Sequence, residues 1–257
     1  MNKTFHARRF GRLFLKHTTE HYKSYLMSLC VLAGVMLLGG SFLVYLVEFP
    51  LDKNFQEGMF LIILLLAGAI FTSTIFSELV DRKRSIPWLL LPASHFEKFL
   101  VAWIWSFALF LVLYIITFYG VALLVLNIRH FPDHPTEIFN AFDHHFWQIY
   151  LIYAFLHGIA LCGALYFEKL NFIKTGFFFF ICLGILVFFN KVILGILLNR
   201  TIEIAPPFGS IRIKENDQFY QIYIAGKQQD YYQMSVVVIL AFILWAAAYH
   251  RLKEKQV

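Results

Sequence analysis

Residues 99–126 contain no charged side chain, and the run exceeds the about 20 residues that an α-helix needs to cross a bilayer. A soluble helix of that length needs a polar face, and this one has none. It therefore belongs in hydrocarbon, where its extra length must be taken up by tilt or by projection into water. Five further apolar runs, at 25–47, 58–77, 146–167, 172–198 and 234–250, read the same way. With 60% hydrophobic residues, 15% charged residues and 30 Phe, a soluble domain has nowhere to place this surface. The expected fold is an all-α integral membrane protein with six transmembrane helices in one domain, 1–257.

Charge sets the orientation. Of the 22 Lys and Arg, 15 fall in the first 24 residues, the 78–98 and 168–174 connections and the tail after 250. Only 6 fall in the alternate connections, and Lys191 lies within a span. By the positive-inside rule both termini are expected on the cytoplasmic side of a multi-pass cell-membrane protein, with the cell inner membrane as the expected location. The net charge of +6 thus reports orientation rather than nucleic-acid binding, since no basic recognition helix or stacking platform accompanies it.

The connection at 77–100, SELVDRKRSIPWLLLPASHFEKFL, has three physical features. Asp81, Arg82, Lys83 and Arg84 form a polar break that cannot lie in hydrocarbon. Pro87 and Pro92 bracket Trp88-Leu89-Leu90-Leu91, an apolar piece barely longer than one helical turn. Ser94 and Glu97 then have capping-box spacing at the start of the third span. An apolar foot on the water side of a membrane protein implies a surface on which it stands.

A Glu ending the second span, a basic cluster, a Leu-rich turn, Leu-Pro-Ala-Ser and a Glu-Lys opening the third span together resemble the membrane subunit, or permease, of type-2 ABC exporters. The likeness is strongest over 76–105. It implies that 77–100 carries a short cytoplasmic coupling helix docking on a separate ABC ATPase subunit. Glu78, Arg82, Arg84, Trp88, Leu89, Leu90, Leu91 and Glu97 are then the coupling residues. It also implies a permease dimer, homo- or heteromeric, with a path at the dimer interface lined by spans one, two and five.

Residues 1–24 place Phe10, Leu13, Phe14, His17 and His21 on one helical face and Arg9, Arg12, Lys16, Glu20 and Lys23 on another. That pattern predicts a helix lying along the inner membrane surface, where the resembling family has an interfacial elbow helix; a solvated basic leader is the alternative. These residues lack the form of a signal peptide. Between spans five and six, 199–233, the alternation around Ile211, Ile213, Phe219, Gln221 and Tyr223 predicts a small extracytoplasmic β-hairpin, either a cap over an exit or an inert surface element.

No Gly-x-x-x-x-Gly-Lys-Ser/Thr loop occurs, since Gly226-Lys227 is followed by Gln228, so ATP hydrolysis is expected of a partner chain. Serine-nucleophile and zinc-protease motifs are missing too, and no cofactor is expected. Cys30, Cys162 and Cys182 have no ligand spacing and are expected as buried, inert thiols. His130, Asp133, His134, Asp143, His144 and His145 cluster on one outer connection without an established ligand pattern, and a solvated loop is the expectation. Inside the spans, His157, Asn190 and Lys191 are the costly polar groups and the candidate transport path. An interhelical hydrogen bond for His157 and snorkelling for Lys191 are the simpler roles. Glu48, Glu78 and Glu168 sit at span ends. A membrane scaffold or immunity-type protein binding a partner through 77–100 is the competing reading.

Overall fold

The structure, a computed structural model, describes residues 5–46, 52–77, 91–127, 138–143, 146–200, 202–204, 210–215, 218–222 and 228–255. Its helices are α1 (Ala7–Leu46), α2 (Lys53–Thr74), α3 (His95–Leu126), α4 (Trp147–Tyr166), α5 (Asn171–Leu198) and α6 (Gln228–Glu254). All six are long and apolar enough to cross a membrane. α3 carries a π-helical segment, Ile104–Leu109, between α-helical stretches.

The first helix differs from expectation. A surface helix over 1–24 followed by a separate span is replaced by one helix of 40 residues. At about 1.5 Å per residue it is about 60 Å long. That is twice the about 30 Å of a bilayer's hydrocarbon, so much of its N-terminal half extends beyond the apolar layer or the helix is steeply inclined. No proline interrupts Ala7–Leu46, and the N-terminal half is held along the first turns of α3 rather than turning away from it. Contacts run in step along the pair. Arg9 meets Glu97, Phe14 and Tyr25 stack on Trp105, and Gly40 lies against Val125. The two helices are therefore parallel neighbours over nearly their whole length.

The centre of the bundle is α4, packed chiefly on α6 and α2. Its buried face includes Ala154, Gly158, Ala160, Gly163 and Ala164, small residues that let neighbouring backbones approach where lipid supplies no hydrophobic drive. Gly158 lies under Leu244 of α6, and Gly68 of α2 lies under the Tyr153 ring. By contrast, none of the 28 residues of α5 is buried within the chain.

Two clusters mark the two ends. Phe76, Phe99, Leu161, Leu165, Ala248 and Leu252 pack together at the end that holds both chain termini. Phe60, Leu64, Tyr114, Phe118, Phe139 and Phe146 fill the other half. Phe139 and Ala141 belong to a connection expected to be wholly polar and solvated, yet both are buried. Tyrosines draw that segment in: Tyr150 Oη donates to the Ala141 carbonyl, and Tyr119 Oη accepts from the Ala141 amide. His130, Asp133, His134, His144 and His145 lie outside the described residues.

Beyond α5, strands β1 (Ile202–Ile204), β2 (Ile211–Glu215) and β3 (Gln218–Ile222) form an antiparallel sheet in that order. Ile211 pairs with Ile222 and Glu215 with Gln218, while β1 is a third strand that the alternation did not indicate. The sheet joins the ends of α5 and α6 remote from Glu97. Cys162 is half-buried and donates to the Leu244 carbonyl, but Cys30 and Cys182, expected as buried, are exposed on α1 and α5. Apolar periodicity alone cannot separate a lipid-facing thiol from a core one.

An added Cβ at Gly68 would stand 2.6 Å from the Tyr153 ring, whereas one at Gly34 meets nothing within 4 Å. Gly68→Val should therefore cost about 1–3 kcal/mol of overpacking, read as an earlier midpoint in detergent-titration unfolding. Gly34→Val should leave that midpoint nearly unchanged.

Candidate functional site

Of the eight coupling residues, Glu78, Arg82, Arg84, Trp88, Leu89 and Leu90 lie outside the described residues, as does Glu48. Leu91 and Glu97 are described, and they lie against the N-terminal part of α1.

Ser94 is the N-cap of α3. Its side chain accepts the Glu97 amide at 3.3 Å, and Glu97 Oε2 accepts the Ser94 amide at 2.9 Å, completing the capping box read from the sequence. The same carboxylate does a second job that local spacing could not reveal. Arg9 donates through Nε to Oε2 at 2.7 Å and through Nη2 to Oε1 at 2.8 Å, and the His6 amide donates to Oε1 at 2.8 Å. Glu97 is 0% exposed. A carboxylate so enclosed is stable only when its lone pairs are met, and here four donors from three residues, His6, Arg9 and Ser94, meet them. It therefore acts inside the chain, joining the start of α3 to the start of α1.

A second polar centre lies deeper. His157 of α4, 1% exposed, accepts from Trp245 Nε1 of α6 at 3.0 Å through Nδ1. Its Nε2 stands 2.9 Å from Ser106 Oγ of α3, and that hydroxyl donates to the Ala102 carbonyl at 2.8 Å. Because Trp245 can only donate and the Ser106 proton is already committed, the consistent assignment is a neutral imidazole with its proton on Nε2. Tyr153 Oη adds a bond to the Ser106 carbonyl at 3.1 Å. The whole network surrounds the π segment, a distortion that recurs where helices carry functional constraints. His157 is thus an interhelical hydrogen-bonding residue joining three helices.

Asn190 and Lys191 are not brought to His157, whose hydrogen-bond partners come from α3 and α6. On α5, Asn190 is half-buried and Lys191 is exposed. Glu168, in the α4–α5 connection, is also exposed. Among the described residues no group of three His, Cys, Asp or Glu is placed to hold a metal ion.

Fold and sites define a multi-span α-helical membrane protein. Comparison with protein-family models, curated proteins and solved structures finds no match to this chain.

Two substitutions separate the cap from the tie. Ser94→Ala should cost about 1 kcal/mol, the usual loss of an N-cap. Glu97→Ala should cost about 2 kcal/mol or more, because it also leaves the His6 and Ser94 amides unmet, and it should expose the N-terminal segment to limited proteolysis. At the deeper centre, His157→Leu roughly keeps volume but strands the Trp245 donor. A loss of about 1–3 kcal/mol in the same unfolding titration is expected.

Proposed function

We propose that this protein is the membrane subunit of an ATP-driven exporter of the type-2 ABC class. It is coupled through 77–100 to a separate ATP-hydrolysing chain and dimerises with itself or a similar subunit. The supporting observation is the Glu97 tie immediately behind the proposed docking loop. A partner that displaces the foot pulls first on Leu91 to Ser94. The carboxylate then passes the displacement to α1 and α3 together, so a small contact surface moves two spans as one lever.

In this reading Trp88, Leu89, Leu90 and Leu91 form the apolar contact, and Glu78, Arg82 and Arg84 supply its ionic rim. The charge count supports a cytoplasmic position for this loop and both termini, which is where an ATPase would stand. α5 buries nothing within the chain and α1 buries only Met36 and Val44, which suits them to a subunit interface. Asn190 and Lys191, on α5, are the polar groups proposed to face the path; His157 contributes by holding α3, α4 and α6 in place. The sheet β1–β3 is assigned to the extracytoplasmic side.

The test is a detergent pull-down of the intact chain from its own host, wild type against Trp88→Glu/Leu89→Glu/Leu90→Glu. An ATPase should accompany the wild type and fall at least about tenfold in the variant, as expected when a buried apolar anchor is replaced by charge. Absence of an ATPase from both preparations, or equal recovery in both, sinks the permease reading. An ATPase that binds through the foot without any substrate-stimulated hydrolysis favours the scaffold reading.

A further inference from the structure

The basic face of α1 does more than hold Glu97. Arg8 and Arg12, one helical turn apart and exposed, line with Lys16 one wall of a cleft of about 570 Å³. Leu13, Leu91 and Pro92 supply its apolar lining. No carboxylate is among the described residues lining it. Arg9 is committed to Glu97, and Lys16 leans towards Glu20 at 3.7 Å, so Arg8 and Arg12 carry most of the charge that the cleft presents.

Position and chemistry narrow the occupant. This end of α1 precedes its apolar stretch and lies beside the first turn of α3, at the polar boundary of the bundle. Phe5 and Phe96, both partly exposed, meet edge to face at 6.2 Å and add apolar surface at this end of the bundle. Two guanidinium groups one turn apart match the oxygens of a phosphodiester. A zwitterionic headgroup would add its own cation to a cleft in which no carboxylate is among the described lining residues. An acidic protein segment would satisfy the arginines but leave the apolar side of the cleft unused.

We propose that this cleft holds the headgroup of an anionic phospholipid, with Arg8 and Arg12 forking the phosphate and Leu13, Leu91 and Pro92 packing on the glycerol and upper acyl carbons. The bound lipid bridges the N-terminal half of α1 to the segment that follows the 78–90 connection. The site shares Leu91 with the edge of the proposed docking contact, but its charge comes from Arg8 and Arg12. It requires only that this end of the bundle lie at a bilayer surface, so lipid retention by the isolated chain tests it without an ATPase.

The experiment uses the purified full-length chain in nanodiscs of equal parts phosphatidylglycerol and phosphatidylcholine, with native mass spectrometry of the lipids retained on release. Wild type should retain phosphatidylglycerol about tenfold over phosphatidylcholine, as two basic contacts at a membrane surface imply. Arg8→Gln/Arg12→Gln should bring the ratio below about twofold, while Lys169→Gln/Lys174→Gln, removing two exposed charges at the same end, should leave it near the wild-type value. Arg8→Lys/Arg12→Lys, which keeps charge without the fork, should fall between. If the first double variant is not monodisperse, Arg8→Gln and Arg12→Gln singly should each lower the ratio about threefold. No preference in the wild type overturns the proposal, and so does equal loss in the two Gln pairs, which would mark a diffuse basic surface. An acidic protein occupying the cleft would give the first of these results.

Discussion

A carboxylate with no exposed surface near the edge of a membrane bundle has to be met by donors, and the way Glu97 is met sets the relation between the first and third spans. Its own N-cap supplies the Ser94 amide, while the His6 amide and the Arg9 guanidinium come from 91 and 88 positions earlier in the chain. Within lipid, apolar helices gain little by choosing one neighbour or one register over another, because acyl chains satisfy them equally. A polar tie at one end removes that freedom. Once Arg9 is fixed on Glu97, the parallel course of the helices brings Phe14 and Tyr25 onto Trp105 and Gly40 onto Val125.

The rest of the bundle is organised by side-chain size. α4 can be central because its buried face is largely Gly and Ala, with His157, Tyr153 and two leucines between them. α5 is strongly apolar but rich in Phe, Ile and Leu all round, and it remains on the outside. In water such a helix would be an aggregation hazard; in a bilayer its bulk is covered by acyl chains or by another subunit at little cost. The polar centre at His157 complements this arrangement, since its partners must come from specific places on α3 and α6 and so orient helices that size alone would leave free to rotate.

Six long apolar helices were legible because length and hydropathy are local properties, although the start of the first was not. The capping box at Ser94 was legible for the same reason, being a four-residue pattern. What could not be read depended on distant partners. Arg9 and Glu97 are separated by 88 positions, so the basic face of 7–24 suggested a surface helix and gave no sign of a clasp against α3. Phe139 and Ala141 looked like part of a polar connection, because the tyrosines that draw them inward lie on helices either side of it. The two exposed cysteines show the complementary limit: hydrocarbon outside and protein inside select the same residue types, so lipid-facing and buried positions share one composition.

Under the exporter reading, these constraints determine where movement is absorbed. The link from Leu91–Ser94 to α1 ends only if the Glu97 clasp opens, which would leave a carboxylate unmet in an enclosed position. Displacement is therefore carried into α3 up to Ile104–Leu109, about two turns further on, where the helix changes from α to π geometry. There Ser106 and Tyr153 tie the irregular segment to α4, and His157 extends the tie to α6. A π turn is a local departure from regular α winding and a recurrent place for a helix to bend, and here side-chain bonds to neighbouring helices hold it. On that reading the clasp would transmit motion and the π segment would redirect it, with the short stretch of α3 between them as the arm on which both act.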